Sequence, residues 1–304
     1  MPQSQPLRIV SLLPSGTDII AALGLEGQLV GVSHACDHPI AQGKPVLTSL
    51  RLEATVADPA AIDRAVSEAS QAGESLYALD PFQLKALRPD VVISQDLCGV
   101  CAVDGREIAR AVPGMARLVM LSANSLEGLY ADLARVGEAT GTVCWSQEAA
   151  DELRSRLAAV ERRVAGLERP RVLALEWSDP PYLGGHWVPE LITLAGGENV
   201  LAEAGVESRR ATWEAIAEAD PDVILFMPCG YTLPQAVAEA QRTLDRPEVQ
   251  ALRAVREGRV WATHATALFS RLTPKAACAA ETLAAILHPE GSAEPDPRWA
   301  VRVY

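Results

Sequence analysis

Short apolar runs alternate with amphipathic segments along the chain. Four runs in the first half are typical of buried strands, at residues 8–13, 29–33, 91–94 and 118–121. Ser15 and Asp18 have the spacing of a capping box, and the apolar stretch that follows them ends at Gly24, which predicts a helix capped by Ser15. Residues 82–87 predict another short helix. Strands alternating with helices predict an α/β fold with a parallel sheet.

A longer helix is predicted near the middle of the chain. Within residues 147–168 the apolar positions recur every three or four residues, at Ala149, Leu153, Leu157, Val160, Val164 and Leu167. The α/β pattern starts afresh after this helix. The predicted organisation is therefore an N-terminal lobe at 1–143, a connecting helix at 144–168 and a C-terminal lobe at 169–304.

The second half repeats features of the first. Residues 8–12 have a counterpart at 171–175, and the strand that contains Pro-Asp at 87–93 has one at 219–225. This predicts two similar α/β lobes joined by one rigid helix, which permits only modest hinge motion.

Charge and composition exclude several classes of protein. The chain has 304 residues, 49% of them hydrophobic, and a net charge of −12, which excludes the basic face of a nucleic-acid-binding protein. No apolar stretch approaches the roughly 18 residues of a membrane span. The N-terminal residues lack the pattern of a signal peptide, so we expect a cytoplasmic protein in which the six cysteines are reduced thiols.

Ligands of open parallel sheets bind beyond the carboxyl ends of the strands. The segments that follow the predicted strands contain our candidate ligand-binding residues: Ser15, His34, Asp96, Trp177, His186, Trp187, Tyr231, His264 and Arg271. The aromatic members would stack on a planar ligand. We expect Trp187 to form a wall of the site, because residues 184–187 contain too much glycine for a core segment.

The cysteines in these segments suggest a second chemistry. Cys98 and Cys101 have the Cys-x-x-Cys spacing of metal ligands or of a redox pair. Cys36 and Cys229 would complete a four-sulfur site for zinc or iron. Two alternatives to a metal site remain open for these cysteines. They are either free thiols that only line polar loops or a pair that carries out thiol redox chemistry.

The sequence carries no recognisable catalytic signature. Gly-x-Gly-x-x-Gly, P-loop and Gly-x-Ser-x-Gly motifs are absent. Asp37, Asp96 and Glu176 are loop carboxylates, but nothing in the sequence pairs them for acid–base work. We therefore expect a binding protein and not an enzyme.

Together these motifs resemble the two-lobe periplasmic-binding-protein-like receptors of the cobalamin and iron-siderophore type, most closely their vitamin B12-binding branch. The segments that carry the resemblance lie at 8–18, 22–25, 87–93, 194–199 and 219–224. The resemblance implies two Rossmann-like lobes joined by one backbone helix, with a corrinoid such as cobalamin in the cleft between the lobes. A histidine would give an axial nitrogen to its metal, and His186 is the first candidate because its glycine-rich loop leaves room for a macrocycle.

The resemblance also implies a partner. Exported receptors of this type dock on an ABC permease through one glutamate in each lobe, seven residues before the proline of the Pro-Asp strand. That position holds Glu214 in the second lobe but Phe82 in the first, which argues against a permease partner. The alternative function is a cytoplasmic metal-handling protein or enzyme that uses the cysteine cluster for zinc, iron or thiol redox chemistry.

Overall fold

The computed structural model describes residues 6–51, 59–72, 75–95, 105–111, 114, 116–291 and 294–304. The chain divides into two compact units. The first unit comprises Met1–Ala123 and Glu127–Asp151, and the second comprises Asn124–Leu126 and Glu152–Tyr304. The predicted boundaries at residues 143 and 169 stay a prediction.

Among its described residues, the first unit contains six strands, which are β1 (Ile9–Ser11), β2 (Leu29–Val32), β3 (Thr48–Leu50), β4 (Tyr77–Leu79), β5 (Val91–Gln95) and β6 (Arg117–Leu121). Its helices are α1 (Pro14–Ala22), α2 (Pro59–Ala72), α3 (Pro81–Leu87), α4 (Gly105–Ala111) and α5 (Leu126–Thr140), the last of which begins at the final residue of the short 124–126 segment. Short 3-10 helices occur at Glu26–Gln28 and Pro39–Ala41.

The main sheet of the first unit is parallel, with the strand order β2-β1-β5-β6. All residues of β1 are buried, as expected for a central parallel strand that is covered on both faces. One face packs in a cluster that includes Val10, Leu84, Val92 and Ile108. Strands β3 and β4 form a separate antiparallel pair.

Helix α1 differs from the prediction at its first turn. It begins at Pro14, its N-cap is Leu13, and no side chain caps it. The capping box predicted for Ser15 is therefore wrong. Pro14 explains the shift, because proline favours the first helical position, which leaves Ser15 partly exposed inside the first turn.

Helix α6 (Val143–Val164) is the longest helix of the described chain, at 22 residues. Residues 143–151 belong to the first unit and residues 152–164 to the second. The predicted apolar stripe is buried at Leu153, Leu157 and Val160. The helix ends four residues before the predicted position 168, because Gly166 adopts a φ of +79°.

In the part of the second unit that the structure describes there are seven strands, which are β7 (Arg171–Ser178), β8 (Pro181–Leu183), β9 (Glu198–Asn199), β10 (Arg209–Arg210), β11 (Val223–Phe226), β12 (Val260–Thr263) and β13 (Ala300–Arg302). Its helices are α7 (Val188–Leu194), α8 (Trp213–Ala219), α9 (Leu233–Leu244), α10 (Pro247–Gln250), α11 (Arg253–Arg256), α12 (Ala265–Leu268) and α13 (Ala276–Leu287). A 3-10 helix at Pro289–Gly291 follows α13.

The second sheet has the order β10-β8-β7-β11-β12-β13, and β9 also pairs with β7. Strands β7, β11 and β12 are parallel, as predicted. The structure adds antiparallel strands that the sequence did not predict, because β8, β10 and β13 all run against their neighbours. The core packs Leu173, Ile224, Phe226 and Val260.

The internal repeat is visible in the hydrogen bonds. In the first unit the Asp90 carboxylate accepts from the Arg8 backbone N–H at 2.8 Å. In the second unit the Asp222 carboxylate accepts from the Arg171 backbone N–H at 2.7 Å. The residues that end the preceding helices, Arg88 and Asp220, both have a positive φ. Each Pro-Asp motif therefore ties the start of its strand to the neighbouring strand in the same way.

Within the described part of the chain, no helix combines the length and the apolar character that crossing a membrane requires.

Candidate functional site

The carboxyl ends of β7, β11 and β12 meet at one edge of the second-unit sheet, because the three strands are parallel. Each strand delivers a predicted residue there: Trp177 near the end of β7, Cys229 after β11 and His264 after β12. The Cys229 N–H donates to the Glu176 carbonyl at 3.2 Å, which joins two of these segments. We call this the carboxyl edge of the second unit.

Trp177 and Tyr231 form an aromatic pair at this edge. Their ring centroids lie 5.4 Å apart with planes at 73°, the edge-to-face arrangement that aromatic rings favour. Both side chains are partly exposed. The Thr266 hydroxyl donates to the Tyr231 carbonyl at 2.9 Å and fixes the backbone that carries the ring. The pair offers an apolar surface to a planar ligand.

His186 lies in the glycine-rich loop between β8 and α7, and its side chain is partly exposed. Its backbone adopts a φ of +53°, which is uncommon for a residue with a side chain. Two short backbone hydrogen bonds hold this conformation, from His186 N–H to the Val206 carbonyl at 2.6 Å and from Gly205 N–H to the His186 carbonyl at 2.7 Å. The imidazole stacks on Trp187 with ring centroids 5.6 Å apart.

Trp187 itself is a core residue. It is only 6% exposed, and its indole Nε1 donates to the Phe269 carbonyl at 3.1 Å. The expectation that a glycine-rich turn keeps Trp187 out of the core is wrong. Glycines allow the backbone to approach its neighbours closely, so they bring the indole inward instead of leaving it at a wall.

Replacing Trp187 by phenylalanine is expected to lower the free energy of unfolding by about 1–2 kcal/mol, because the buried Phe269 carbonyl loses its donor. Urea unfolding of the variant measures this loss. If the variant is as stable as the wild type but binds the ligand more weakly, the structural role is contradicted and Trp187 is a ligand-binding residue.

His264 and Arg271 flank helix α12. The His264 N–H donates to the Trp299 carbonyl at 2.8 Å, and the two rings lie 6.0 Å apart. The imidazole Nδ1 is buried and has no hydrogen-bond partner among the described residues. Arg271 is a buried cation, with 9% of its surface exposed. A buried imidazole nitrogen without a protein partner favours a polar ligand group near His264.

Glu176 is a residue that the sequence analysis noted only as a loop carboxylate. It lies within β7, where burial raises the pKa of its carboxyl to about 7. A hydrogen bond to the Ser208 side chain lowers this pKa, but the effect of burial is larger. The available signal was that Glu176 directly follows four apolar residues of β7, at 172–175, since charged residues rarely enter buried strands without a partner.

The first unit carries a separate set of predicted residues after β1 and β2. The Thr17 hydroxyl and the Cys36 Sγ lie 3.0 Å apart, so Cys36 contacts the first turns of α1. The His34 Nδ1 lies 2.7 Å from the Thr48 hydroxyl, and its ring contacts Tyr77 at 5.3 Å. Partial burial lowers the pKa of the His34 imidazole.

The predicted four-sulfur site stays a prediction, because the structure describes only two of its four cysteines, Cys36 and Cys229. Cys98, Cys101 and Asp96 lie outside the described residues. Among the residues that the structure does describe, no three histidine, cysteine or carboxylate side chains form a group that could hold a metal ion, and Cys36 and Cys229 belong to different units. No disulfide joins the described cysteines.

Comparison with known proteins gives consistent matches over most of the chain. A family model described as periplasmic binding protein matches residues 9–267. A vitamin B12-binding protein of Vibrio cholerae is 25% identical over 283 residues, which cover 92% of this chain and 88% of the relative.

Two solved structures confirm the predicted two-lobe α/β fold. A periplasmic heme-binding protein from Pseudomonas aeruginosa superimposes with a TM-score of 0.74 at 22% identity, covering 97% of both chains. The periplasmic vitamin B12-binding protein of Vibrio cholerae gives a TM-score of 0.66 at 23% identity, covering 92% of this chain and 96% of the other.

The expectation of a cytoplasmic protein is wrong. The matching family model describes a periplasmic binding protein, and both solved relatives are periplasmic. Relatives of this type work outside the cytoplasm. The N-terminal composition on which the expectation was based is too indirect to outweigh a match of this length.

Proposed function

Since this chain belongs to the periplasmic binding protein family, we propose that its ligand is a corrinoid such as cobalamin. Proteins of this family are substrate-binding components of ABC transporters and not enzymes. The observation that carries the proposal is the similarity to a vitamin B12-binding protein across 92% of the chain. Geometry supports it at the carboxyl edge of the second unit.

The aromatic pair suits such a ligand. A corrinoid is large and largely apolar on its faces, and aromatic rings bind such surfaces with little loss of conformational entropy. Trp177 and Tyr231 lie together at the carboxyl edge, and both remain partly exposed. They would therefore contact the macrocycle.

The partly exposed His186 suits coordination of the ligand's metal. An imidazole nitrogen is a good ligand for cobalt and for iron. Its loop is fixed by hydrogen bonds at 2.6 and 2.7 Å, so little further ordering is needed when the ligand binds. His186 would supply the axial nitrogen.

Binding proteins of this family deliver small molecules to the permeases of ABC transporters. Phe82 is 85% exposed in the first turn of α3, and Glu214 is exposed in the first turn of α8. A permease that binds this protein would then contact the apolar side chain of Phe82 on the first unit and the carboxylate of Glu214 on the second. A permease is our proposed partner.

Titrations with cyanocobalamin, diaquacobinamide and hemin, followed by tryptophan fluorescence and visible absorbance, test the ligand class. We expect a corrinoid to bind and the Trp177→Ala variant to bind it at least about fivefold more weakly, because one aromatic contact contributes about 1 kcal/mol beyond its buried area. Trp145→Ala is the matched control, since Trp145 is 50% exposed on α6 and takes no part in the carboxyl edge.

Three outcomes would contradict the proposal. Hemin binding without corrinoid binding would change the ligand class. Equal affinities in the wild type and Trp177→Ala would remove the aromatic pair from the site. The absence of binding to all three compounds would overturn the assignment as a whole.

A further inference from the structure

Glu176 lies at an irregularity in the pairing of β7 with β8. The register shifts between Leu175, which pairs with Leu183, and Trp177, which pairs with Tyr182. Glu176 is the residue in between. Bulges of this kind turn a side chain away from its regular direction and often occur next to functional sites.

Ser208 connects this carboxyl to the His186 loop. Its side chain is hydrogen-bonded to Glu176, and its Oγ accepts the Gly185 N–H at 3.2 Å. A serine hydroxyl has one proton to donate and two lone pairs that accept, so both bonds form together when the hydroxyl donates to the carboxyl. Ser208 thus bridges β7 and the residue before His186.

The two segments are packed too closely for anything but glycine at position 185. A Cβ on Gly185 would lie 2.4 Å from the Ser208 nitrogen and 2.6 Å from the Val206 oxygen, both backbone atoms. The paired backbone hydrogen bonds of His186 with Val206 and Gly205 complete the contact. The position of the His186 backbone is therefore set by residues 205–208.

We propose that Ser208, oriented by the Glu176 carboxyl, is a positioning residue that fixes the His186 imidazole for coordination of the ligand's metal. The coordinating part rests on the proposed function. In that step the imidazole nitrogen replaces one axial water of the metal, so a metal–nitrogen bond forms, a metal–oxygen bond breaks and water leaves without any change in oxidation state. Positioning by Ser208 precedes the step and does not require the ligand.

Amide hydrogen exchange of the ligand-free protein tests the positioning directly. Ser208→Ala removes the acceptor of the Gly185 N–H, so we expect exchange at Gly185 and His186 to become about tenfold faster or more. Ser208→Thr keeps a hydroxyl and should restore slow exchange. Unchanged exchange in Ser208→Ala would overturn the proposal.

Diaquacobinamide tests the coordination, because both of its axial positions hold water. We expect its visible bands to shift on binding to the wild type, and the shift to be lost in His186→Ala and reduced in Ser208→Ala. Ser208→Thr should recover the shift. A shift that persists in His186→Ala, with binding intact, would overturn the coordinating role while the proposed function stands.

Thr212→Ala separates positioning from simple destabilisation. The Thr212 hydroxyl accepts the Ala215 N–H at 3.2 Å, the same distance as in the Ser208–Gly185 bond, but caps α8 instead. It should lower stability without changing exchange at Gly185 or the cobinamide spectrum. An equal spectral change in Thr212→Ala would contradict a specific role for Ser208. If the wild type binds none of cyanocobalamin, diaquacobinamide and hemin, the coordinating role falls with the proposed function, and the exchange result alone decides the positioning.

Discussion

Replacing Gly185 by alanine is expected to destabilise the second unit by about 3 kcal/mol or more, the upper range for overpacked sites. The new Cβ would meet the Ser208 nitrogen at 2.4 Å and the Glu207 carbonyl carbon at 2.6 Å. Both are backbone atoms, so no side chain can rotate away to relieve the overlap. The 184–187 loop would have to separate from residues 205–208 and lose the hydrogen bonds of His186.

Urea unfolding of Gly185→Ala and of Gly27→Ala measures this effect against a matched change. A Cβ on Gly27 would meet no atom within 4 Å, and its φ is not positive. We expect Gly27→Ala to change the free energy of unfolding by less than about 1 kcal/mol. Equal stabilities of the two variants would show that the 205–208 segment yields easily, which contradicts the close packing described here.

Glu176→Gln is expected to remove a pH dependence from the stability of the second unit. The pKa of Glu176 is raised from 4.5 to about 7 by burial, so the folded state binds its proton more tightly than the unfolded state does. This contribution to stability is fully present below pH 4.5 and is lost as the pH rises to about 7. The loss amounts to at most about 3.5 kcal/mol, from about 1.4 kcal/mol per pKa unit.

The measurement is the difference in free energy of unfolding between Glu176→Gln and the wild type, taken across this pH range. The difference should be small in acid, should grow in favour of the variant as the pH rises, and should level off above about pH 7. Because glutamine keeps an oxygen that accepts from Ser208, the hydrogen bond itself is preserved. A difference that does not vary with pH would contradict the raised pKa.

Local rules predict much of the fold. The Pro-Asp repeat was visible in the sequence, and Asp90 and Asp222 indeed make matching hydrogen bonds to the starts of β1 and β7. The periodic stripe of α6 was equally predictable, because its spacing reflects helix geometry alone. The resemblance to cobalamin and siderophore receptors, inferred from the order of these motifs, is confirmed by the family match over residues 9–267.

The parts that sequence analysis missed depend on contacts between distant segments. The buried position of Trp187 depends on the Phe269 carbonyl, 82 residues away. The environment of Glu176 depends on Ser208 and on a register shift against β8. Neither contact leaves a periodic signal in the sequence. Local composition therefore predicted that Trp187 lines the ligand site and assigned no role to Glu176.

The strand order of the second sheet bears on self-association. Both of its outermost strands carry arginine, since β10 consists of Arg209 and Arg210 and β13 ends at Arg302, and all three residues are exposed. A charged side chain on a short edge strand opposes pairing with the open edge of another copy. The exposed arginines of β10 and β13 therefore oppose edge-to-edge association of the sheet with another copy through these two strands.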